Sequence, residues 1–223
     1  ATASWKDGGS VSSSPIVSLA DDREAALEAA AKELDAGGVV VFPTDTVYGV
    51  GADAFNPEAT ARIFEAKGRP RSMPLPVLVG RPRQAWALCS EVPSSAQILV
   101  AAFWPGPLTL ILPAAEGLSW DLGETRGGVA VRMPAHDDLL DLIMMIGPLA
   151  TTSANLTGEP TPATVAGIAE RLGDSVSLYV DGGSSAGDVP STIVDLTRWR
   201  PKVTREGAIP RAEVDRALEE GRA

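Results

Sequence analysis

The chain has 223 residues, 44% of them hydrophobic and 22% charged, with a formal net charge of −10. That is room for one large domain or two small ones, and the acidity argues against a general nucleic-acid binder, which needs a basic face; it suits an enzyme holding a small anionic substrate in one positive pocket. A single cysteine, Cys89, excludes an internal disulfide and a cysteine-cluster metal site.

Residues 1–14 are small, polar and rich in Gly and Ser, and read as a disordered tail. The start has no basic stretch followed by an apolar one, and no apolar run reaches the roughly 18 residues of a membrane span. Neither a secretory leader nor a membrane helix is expected, and a cytoplasmic setting is the default. The remainder, residues 15–223, shows no shift of composition and is read as one domain.

Asp21 or Asp22 can cap a first helix whose apolar face is Leu27, Ala30, Ala31 and Leu34, and Gly37-Gly38 stops it. Val39–Phe42 reads as a buried strand, left through the polar loop Pro43-Thr44-Asp45-Thr46. Asn56-Pro57 starts a second helix that carries Ile63 and Phe64 inward and ends at Gly68. Leu75–Val79 is a strand candidate that Pro76 demotes to a sheet edge or an irregular strand. A helix over 94–103, strands over 108–112 and 129–133, a helix over 136–146 and a strand over 149–152 follow. A helix over 162–172, strands near 176–180 and 192–196 and a charged helix over 211–220 complete the series. Interleaved strands and helices give an α/β or α+β class with a sizeable mixed sheet.

Three segments carry candidate chemistry. In Lys67-Gly68-Arg69-Pro70-Arg71 three cations lie within five residues. Pro70 favours extended backbone at Arg69, and an extended chain aims Lys67, Arg69 and Arg71 at one side, where a point charge and planar forks suit phosphate oxygens. A solvated basic loop is the competing reading, because short basic clusters are common. Thr151-Thr152-Ser153-Ala154-Asn155 runs off a strand end, a favoured ligand position, although Ser, Thr and Asn also serve ordinary turns and caps. The third segment, Phe42 to Gly51, lacks the phosphate-loop and dinucleotide glycine patterns, which counts against a P-loop ATPase and a Rossmann site. His136 is the only histidine and has no companion for a zinc site or a hydrolase triad. Cys89 reads as packing, and the tryptophans form no ladder for single-stranded nucleic acid.

Together the segments resemble the YrdC family of threonylcarbamoyl-AMP synthases. The blocks that carry the resemblance are VVVFPTDTVYGVGADA (39–54), AKGRP (66–70), PGPLTLIL (105–112), VAVRMP (129–134), TTSANLTGEPTP (151–162), STIVDL (191–196) and REGAI (205–209). They occur in family order across roughly residues 20–210, and the family's Lys-x-Arg and Ser-x-Asn pairs stand here as Lys67/Arg69 and Ser153/Asn155.

The resemblance implies an α/β fold with a twisted, barrel-like mixed sheet and flanking helices around one large cavity. It implies a nucleotidyltransferase that forms threonylcarbamoyl-AMP and pyrophosphate from L-threonine, bicarbonate and ATP, with Mg2+ bridging the phosphates. The product serves threonylcarbamoyladenosine modification of tRNA at position 37, through a downstream transfer enzyme, with tRNA itself as a weak partner. Lys67 and Arg69 are carried over as catalytic and, with Ser153, Asn155, Thr161 and Arg205, as ATP-binding. Arg132 is carried over for the threonine carboxylate, and Thr44, Thr46, Thr151 and Ser191 for the threonine pocket.

The chain departs from the family pattern at Met73 and near Leu78, where relatives place polar residues, and at Gly128, where they often have Thr. It stops soon after Arg205-Glu206-Gly207, as the short form of the family does. Two other readings stand beside the synthase. One is a non-catalytic module that binds double-stranded RNA or tRNA. The other is a carbamoyl-adenylate-forming domain like that of hydrogenase maturation proteins, whose accompanying acylphosphatase and zinc-finger segments have no counterpart in these 223 residues.

Overall fold

The computed structural model describes residues 13–221 apart from Ala186 and Asp188. Most of the expected tail, residues 1–12, lies outside the described residues; Ser13 donates its backbone N–H to Asp174 Oδ1 at 2.7 Å.

One sheet contains β1 (Ile16–Ser18), β2 (Val40–Phe42), β3 (Gly49–Asp53), β4 (Val77–Leu78), β5 (Leu108–Pro113), β6 (Gly128–Arg132), β7 (Leu149–Ser153), β8 (Leu178–Asp181), β9 (Thr192–Asp195) and β10 (Lys202–Arg205). Their order is β1-β8-β2-β3-β7-β4-β6-β5-β9-β10, with parallel and antiparallel neighbours mixed. The edge strands β1 and β10 do not pair with each other, so the sheet is open and the barrel-like expectation is corrected. The mixed α/β class stands as expected.

Helix boundaries follow their caps. The Asp22 side chain accepts from Ala25 N at 3.0 Å and starts α1 (Arg23–Asp35). Asn56 accepts from Glu58 N and Ala59 N and starts α2 (Pro57–Lys67), which Gly68 ends in the left-handed conformation at φ 57°. Next come α3 (Pro82–Ala87), which the sequence pattern does not announce, α4 (Ser94–Phe103) and α5 (Asp137–Ile146). Helix α6 (Val165–Leu172) begins three residues later than expected, because Thr164 is its cap and accepts from Gly167 N at 3.4 Å. Helix α7 (Arg211–Glu220) closes the series.

Of the two alternatives for strand β4, a sheet edge is corrected, since it lies inside the sheet between β7 and β6, and a short, irregular strand stands, since only Val77–Leu78 pair. Pro76 precedes the two-residue strand, so its missing N–H breaks no ladder bond, while its carbonyl still accepts from Thr151 N at 2.8 Å.

The two faces of the sheet differ. On one, Val50, Val77, Leu108, Leu110, Leu112, Val129 and Val131 pack with residues of α2, α4, α6 and α7 in a continuous core. On the other, α1 and α5 cover only Val40, Phe42, Leu78, Leu149, Leu178 and Val180. The rest of that second face is left open and forms a cavity.

Glycines in β3 shape its floor. A Cβ on Gly49 would meet Phe42 Cε2 at 2.8 Å and Thr151 Oγ1 at 3.2 Å, so the Phe42 ring lies across the strand only because no side chain stands there. Gly49→Ala is expected to destabilise the chain by roughly 1–3 kcal/mol through overpacking, read as a lower urea midpoint in equilibrium unfolding. An unchanged midpoint would show that Phe42 is free to move.

Candidate active site

The cavity measures about 500 Å³, the size of a small-molecule site. Strand alternation builds its walls: Leu108, Leu110 and Leu112 point into the core, while Thr109 and Ile111 line the cavity. Likewise Val129 and Val131 are core, and Ala130 and Arg132 are cavity. On β10 a register shift between Val203 and Arg205 sets Arg205 opposite Ile193, and both residues line the cavity.

Of the expected site residues, Thr44, Thr46, Lys67, Arg69, Arg132, Thr151, Ser153, Asn155, Ser191 and Arg205 all line this one space. Thr161 does not; it stands behind Asn155 and donates to its Oδ1 at 3.1 Å. Arg71 also turns away, correcting the expectation that three cations share one side. It pairs with Asp121 and lies over the Phe64 ring at 4.9 Å. The cause is local: Lys67 is the last residue of a helix and Gly68 is left-handed, so the chain there is not extended. Met73 and Leu78 line the cavity, and Gly128 does not.

Lys67 is 2% exposed and has no carboxylate partner among the described residues. Its Nζ donates to Ser153 O at 2.5 Å and to Asn155 O, with Asn155 Oδ1 at 3.5 Å. The ammonium therefore ties the end of α2 to the loop after β7. Burial, and then the Arg69 guanidinium, push its pKa down to about 7. An unfolded lysine titrates near 10.4, so between about pH 7 and pH 10 the folded chain binds fewer protons and this group's contribution to stability rises with pH.

Asn155 is equally committed. Its Nδ2 donates to Leu156 O at 2.7 Å and Glu159 O at 2.8 Å, leaving no amide N–H for a ligand. Ser153, by contrast, makes no side-chain hydrogen bond among the described residues and faces the cavity.

Each arginine is braced by three hydrogen bonds, which leaves two of its five N–H groups for a ligand. Arg69 donates to Met73 O at 2.8 Å, Thr152 Oγ1 at 3.3 Å and Pro74 O at 3.2 Å. Arg205 donates to Ser191 O from two nitrogens and to Ser191 Oγ at 3.0 Å. Arg132 donates to Gly106 O, Thr46 Oγ1 and Asp45 Oδ1. Burial lowers the pKa of all three, and neighbouring cations add to it on two of them: Arg205 acts on Arg69, and Arg132 acts on Arg205. On Arg132 the Asp45 carboxylate opposes the effect of burial. The guanidiniums remain charged at neutral pH. Cations that repel one another around one cavity, with a single carboxylate among their hydrogen-bond partners, form a site that an anion would relieve.

Asp45, Thr109 and Thr152 belong to this framework; Thr152 stood in the candidate segment 151–155 and Asp45 in the polar loop after the first buried strand, while Thr109 was not singled out from the sequence. Thr109 carried a signal, a polar residue alternating with leucines in an apolar strand. Among the described residues no group of three or more His, Cys, Asp or Glu could hold a metal ion. His136 occupies the N-cap position of α5 without a side-chain capping bond, and Cys89 packs against the core, its Sγ donating to Ala85 O at 3.1 Å; neither lines the cavity. Burial raises the Cys89 thiol to about 11, the opposite of an activated nucleophile. No helix among the described residues is long and apolar enough to cross a membrane.

The sequence profile of the Sua5/YciO/YrdC family, described as telomere recombination, matches residues 32–207. A Mycobacterium leprae protein provisionally named threonylcarbamoyl-AMP synthase is 43% identical over 198 residues, which cover 89% of this chain and 90% of that protein. A Pyrococcus abyssi threonylcarbamoyl-AMP synthase is 42% identical over 185 residues, 82% of this chain and 54% of the archaeal one. The crystal structure of P. abyssi Sua5 complexed with L-threonine superposes with a TM-score of 0.85 at 40% identity, covering 92% of this chain and 61% of that chain. The chain thus spans under two thirds of the archaeal protein and nearly all of the mycobacterial one. With the profile running from the first helix to the strand that carries Arg205, the chain belongs to the Sua5/YciO/YrdC family.

Proposed function

We propose that this chain is an L-threonylcarbamoyladenylate synthase, forming threonylcarbamoyl-AMP and pyrophosphate from L-threonine, bicarbonate or carbon dioxide, and ATP. The observation that carries the reading is the convergence of Lys67, Arg69, Arg132 and Arg205 on one cavity that neither His136 nor Cys89 reaches. The chemistry needs no side-chain nucleophile. Threonine's amine and carbon dioxide give a carbamate whose own oxygen attacks the α-phosphorus; the bond to the bridging oxygen breaks, and pyrophosphate leaves. Such a step is accelerated by positioning and by charge stabilisation.

In this reading the free N–H groups of Arg69 and Arg205 and the Ser153 hydroxyl hold phosphate oxygens, and the Lys67 ammonium adds charge beside them. Arg132 pairs with the threonine carboxylate, for which a fork-shaped cation is suited. Thr46, Thr151 and Ser191 surround the amino acid. Asn155 and Thr161 act as scaffold for the loop that carries Ser153. Magnesium enters as part of the substrate, on the phosphates of ATP. The product passes to a transfer enzyme that modifies tRNA adenosine at position 37, and the cytoplasm, which supplies ATP and tRNA, is the site of action. The relatives' names and the threonine complex of the archaeal homologue support this reading.

A non-catalytic RNA-binding module is disfavoured because the clustered cations line a cavity in a chain of net charge −10, whereas RNA backbone binding needs an outward basic surface. Pyrophosphate release with ATP, bicarbonate and threonine separates the two. Release is expected to fall to background when threonine is omitted, and release indifferent to threonine would defeat the synthase reading.

The state of Lys67 gives a second test. A bound polyphosphate opposes the effects that lower its pKa. At about pH 8, ATP binding is therefore expected to take up protons, seen as a calorimetric heat that varies with the ionisation enthalpy of the buffer. Lys67→Met is expected to lose that variation. Buffer-independent heats with the unaltered chain would show that no phosphate approaches Lys67.

A further inference from the structure

The loop between β2 and β3 fixes the polarity of the cavity wall as well as its shape. Arg132 is held at every nitrogen: Nε donates to Gly106 O at 3.0 Å, one terminal nitrogen to Thr46 Oγ1 at 3.2 Å, and the other to Asp45 Oδ1 at 2.5 Å. The Arg132 and Asp45 side chains are 9% and 11% exposed, so this ion pair is largely shielded from water. Each terminal nitrogen keeps one N–H, and Asp45 decides where the second of them points.

The hydroxyls beside Arg132 form a chain whose direction follows from proton counting. Thr44 Oγ1 donates its single proton to Val47 O at 2.7 Å, because a carbonyl can only accept. It also accepts from Thr46 N at 3.1 Å. The 3.1 Å contact between Thr44 Oγ1 and Thr46 Oγ1 must then carry the Thr46 proton. Thr46 is left with one lone pair already taken by Arg132 and one free. It can only accept from a ligand. Thr151, whose Oγ1 donates to Val50 O at 3.1 Å, is in the same condition.

We propose that Asp45 and Thr44 are positioning residues for the amino-acid subsite. Asp45 fixes the Arg132 fork toward the carboxylate, and Thr44 takes the Thr46 proton so that Thr46 accepts from the ammonium or hydroxyl of the same molecule. The proposal rests on the reading of Arg132 as the carboxylate partner. It makes the subsite a detector for an anion with a hydrogen-bond donor beside it, the pattern of a free amino acid. Asp45 and Thr44 act through Arg132 and Thr46.

The test uses the full chain with Asp45→Asn, Thr44→Val and Thr44→Ser, measuring KM for threonine and for ATP by pyrophosphate release, together with the thermal midpoint. Asp45→Asn keeps the size of the side chain and removes its charge; the threonine KM is expected to rise about tenfold, with the ATP KM within about twofold. Thr44→Val removes the acceptor for the Thr46 proton and is expected to raise the threonine KM several-fold, and Thr44→Ser to restore it. A parallel rise in both KM values, unchanged threonine KM values, or serine and valine behaving alike at position 44 would overturn the proposal. Should the unaltered chain release no threonine-dependent pyrophosphate, the synthase reading fails separately. Calorimetric threonine affinities of the same variants then test Asp45 and Thr44 without turnover, with weaker binding in Asp45→Asn and Thr44→Val expected and unchanged binding overturning their roles.

Discussion

Lys67→Met is expected to lower kcat/KM by about a hundredfold or more and also to cost stability, a combination the sequence does not suggest. Taken as a phosphate-binding lysine in a loop, Lys67 would affect turnover with little effect on the fold. The structure gives it two tasks. The residue is 2% exposed and its ammonium donates to the carbonyls of Ser153 and Asn155; methionine leaves Asn155 O without its donor, while Ser153 O keeps the Asn155 N–H at 3.0 Å. An unmet buried acceptor costs roughly 1–3 kcal/mol. Against this stands the removal of a buried ammonium with no carboxylate beside it, which is itself unfavourable. The two effects partly cancel, and a net loss of about 1–2 kcal/mol is expected, read from denaturant unfolding at neutral pH. The rise of stability with pH above about 7 should vanish in the variant, since the group that titrates there is gone. Activity falls further than stability because the tether sets the loop carrying Ser153, and the positive charge beside the phosphates is lost. Full activity in a stably folded Lys67→Met would remove the lysine from the mechanism.

How far the fold was legible depends on where local chemistry decides the structure. Helices α1, α2 and α4 could be read closely because Asp22, Asn56-Pro57 and Trp104-Pro105 punctuate an apolar period. Strand β3 was missed for a reason that matters to function: Gly49 and Gly51 erase the apolar pattern of a strand, and they do so because Phe42 crosses there. Strand β10, with the sequence KVTR, is an exposed edge whose charges hide it, although it delivers Arg205 to the cavity. Lys67, Arg69, Ser153 and Asn155 could be found from paired motifs. Their division of labour could not. Only the folded chain shows that Asn155 spends both amide protons on its own loop, that Arg71 leaves the cluster for Asp121, and that Asp45 braces Arg132. Composition marks a polar group as available, and only the full account of its partners shows whether it is free.

Arg132→Leu should be the most damaging single change at the amino-acid end of the cavity. It removes the fork for the carboxylate and leaves the Asp45 carboxylate, 11% exposed, without its cation. Breaking one side of a buried ion pair costs about 3–5 kcal/mol where water is excluded. Here each side chain keeps about a tenth of its surface exposed, so a smaller loss, about 2–3 kcal/mol, is expected for stability. Threonine affinity should fall at least about a hundredfold, because both the charge and the two N–H groups that no protein acceptor among the described residues takes disappear. The companion Arg132→Leu/Asp45→Asn separates the two losses. Removing the stranded charge should recover much of the stability and none of the threonine affinity, giving strong coupling in unfolding and weak coupling in binding. The ATP affinity of both proteins should stay close to that of the parent, since Arg69, Arg205 and Ser153 are untouched. If the double variant regains threonine binding along with stability, Arg132 is a brace for the β2–β3 loop, and the carboxylate is recognised elsewhere in the cavity.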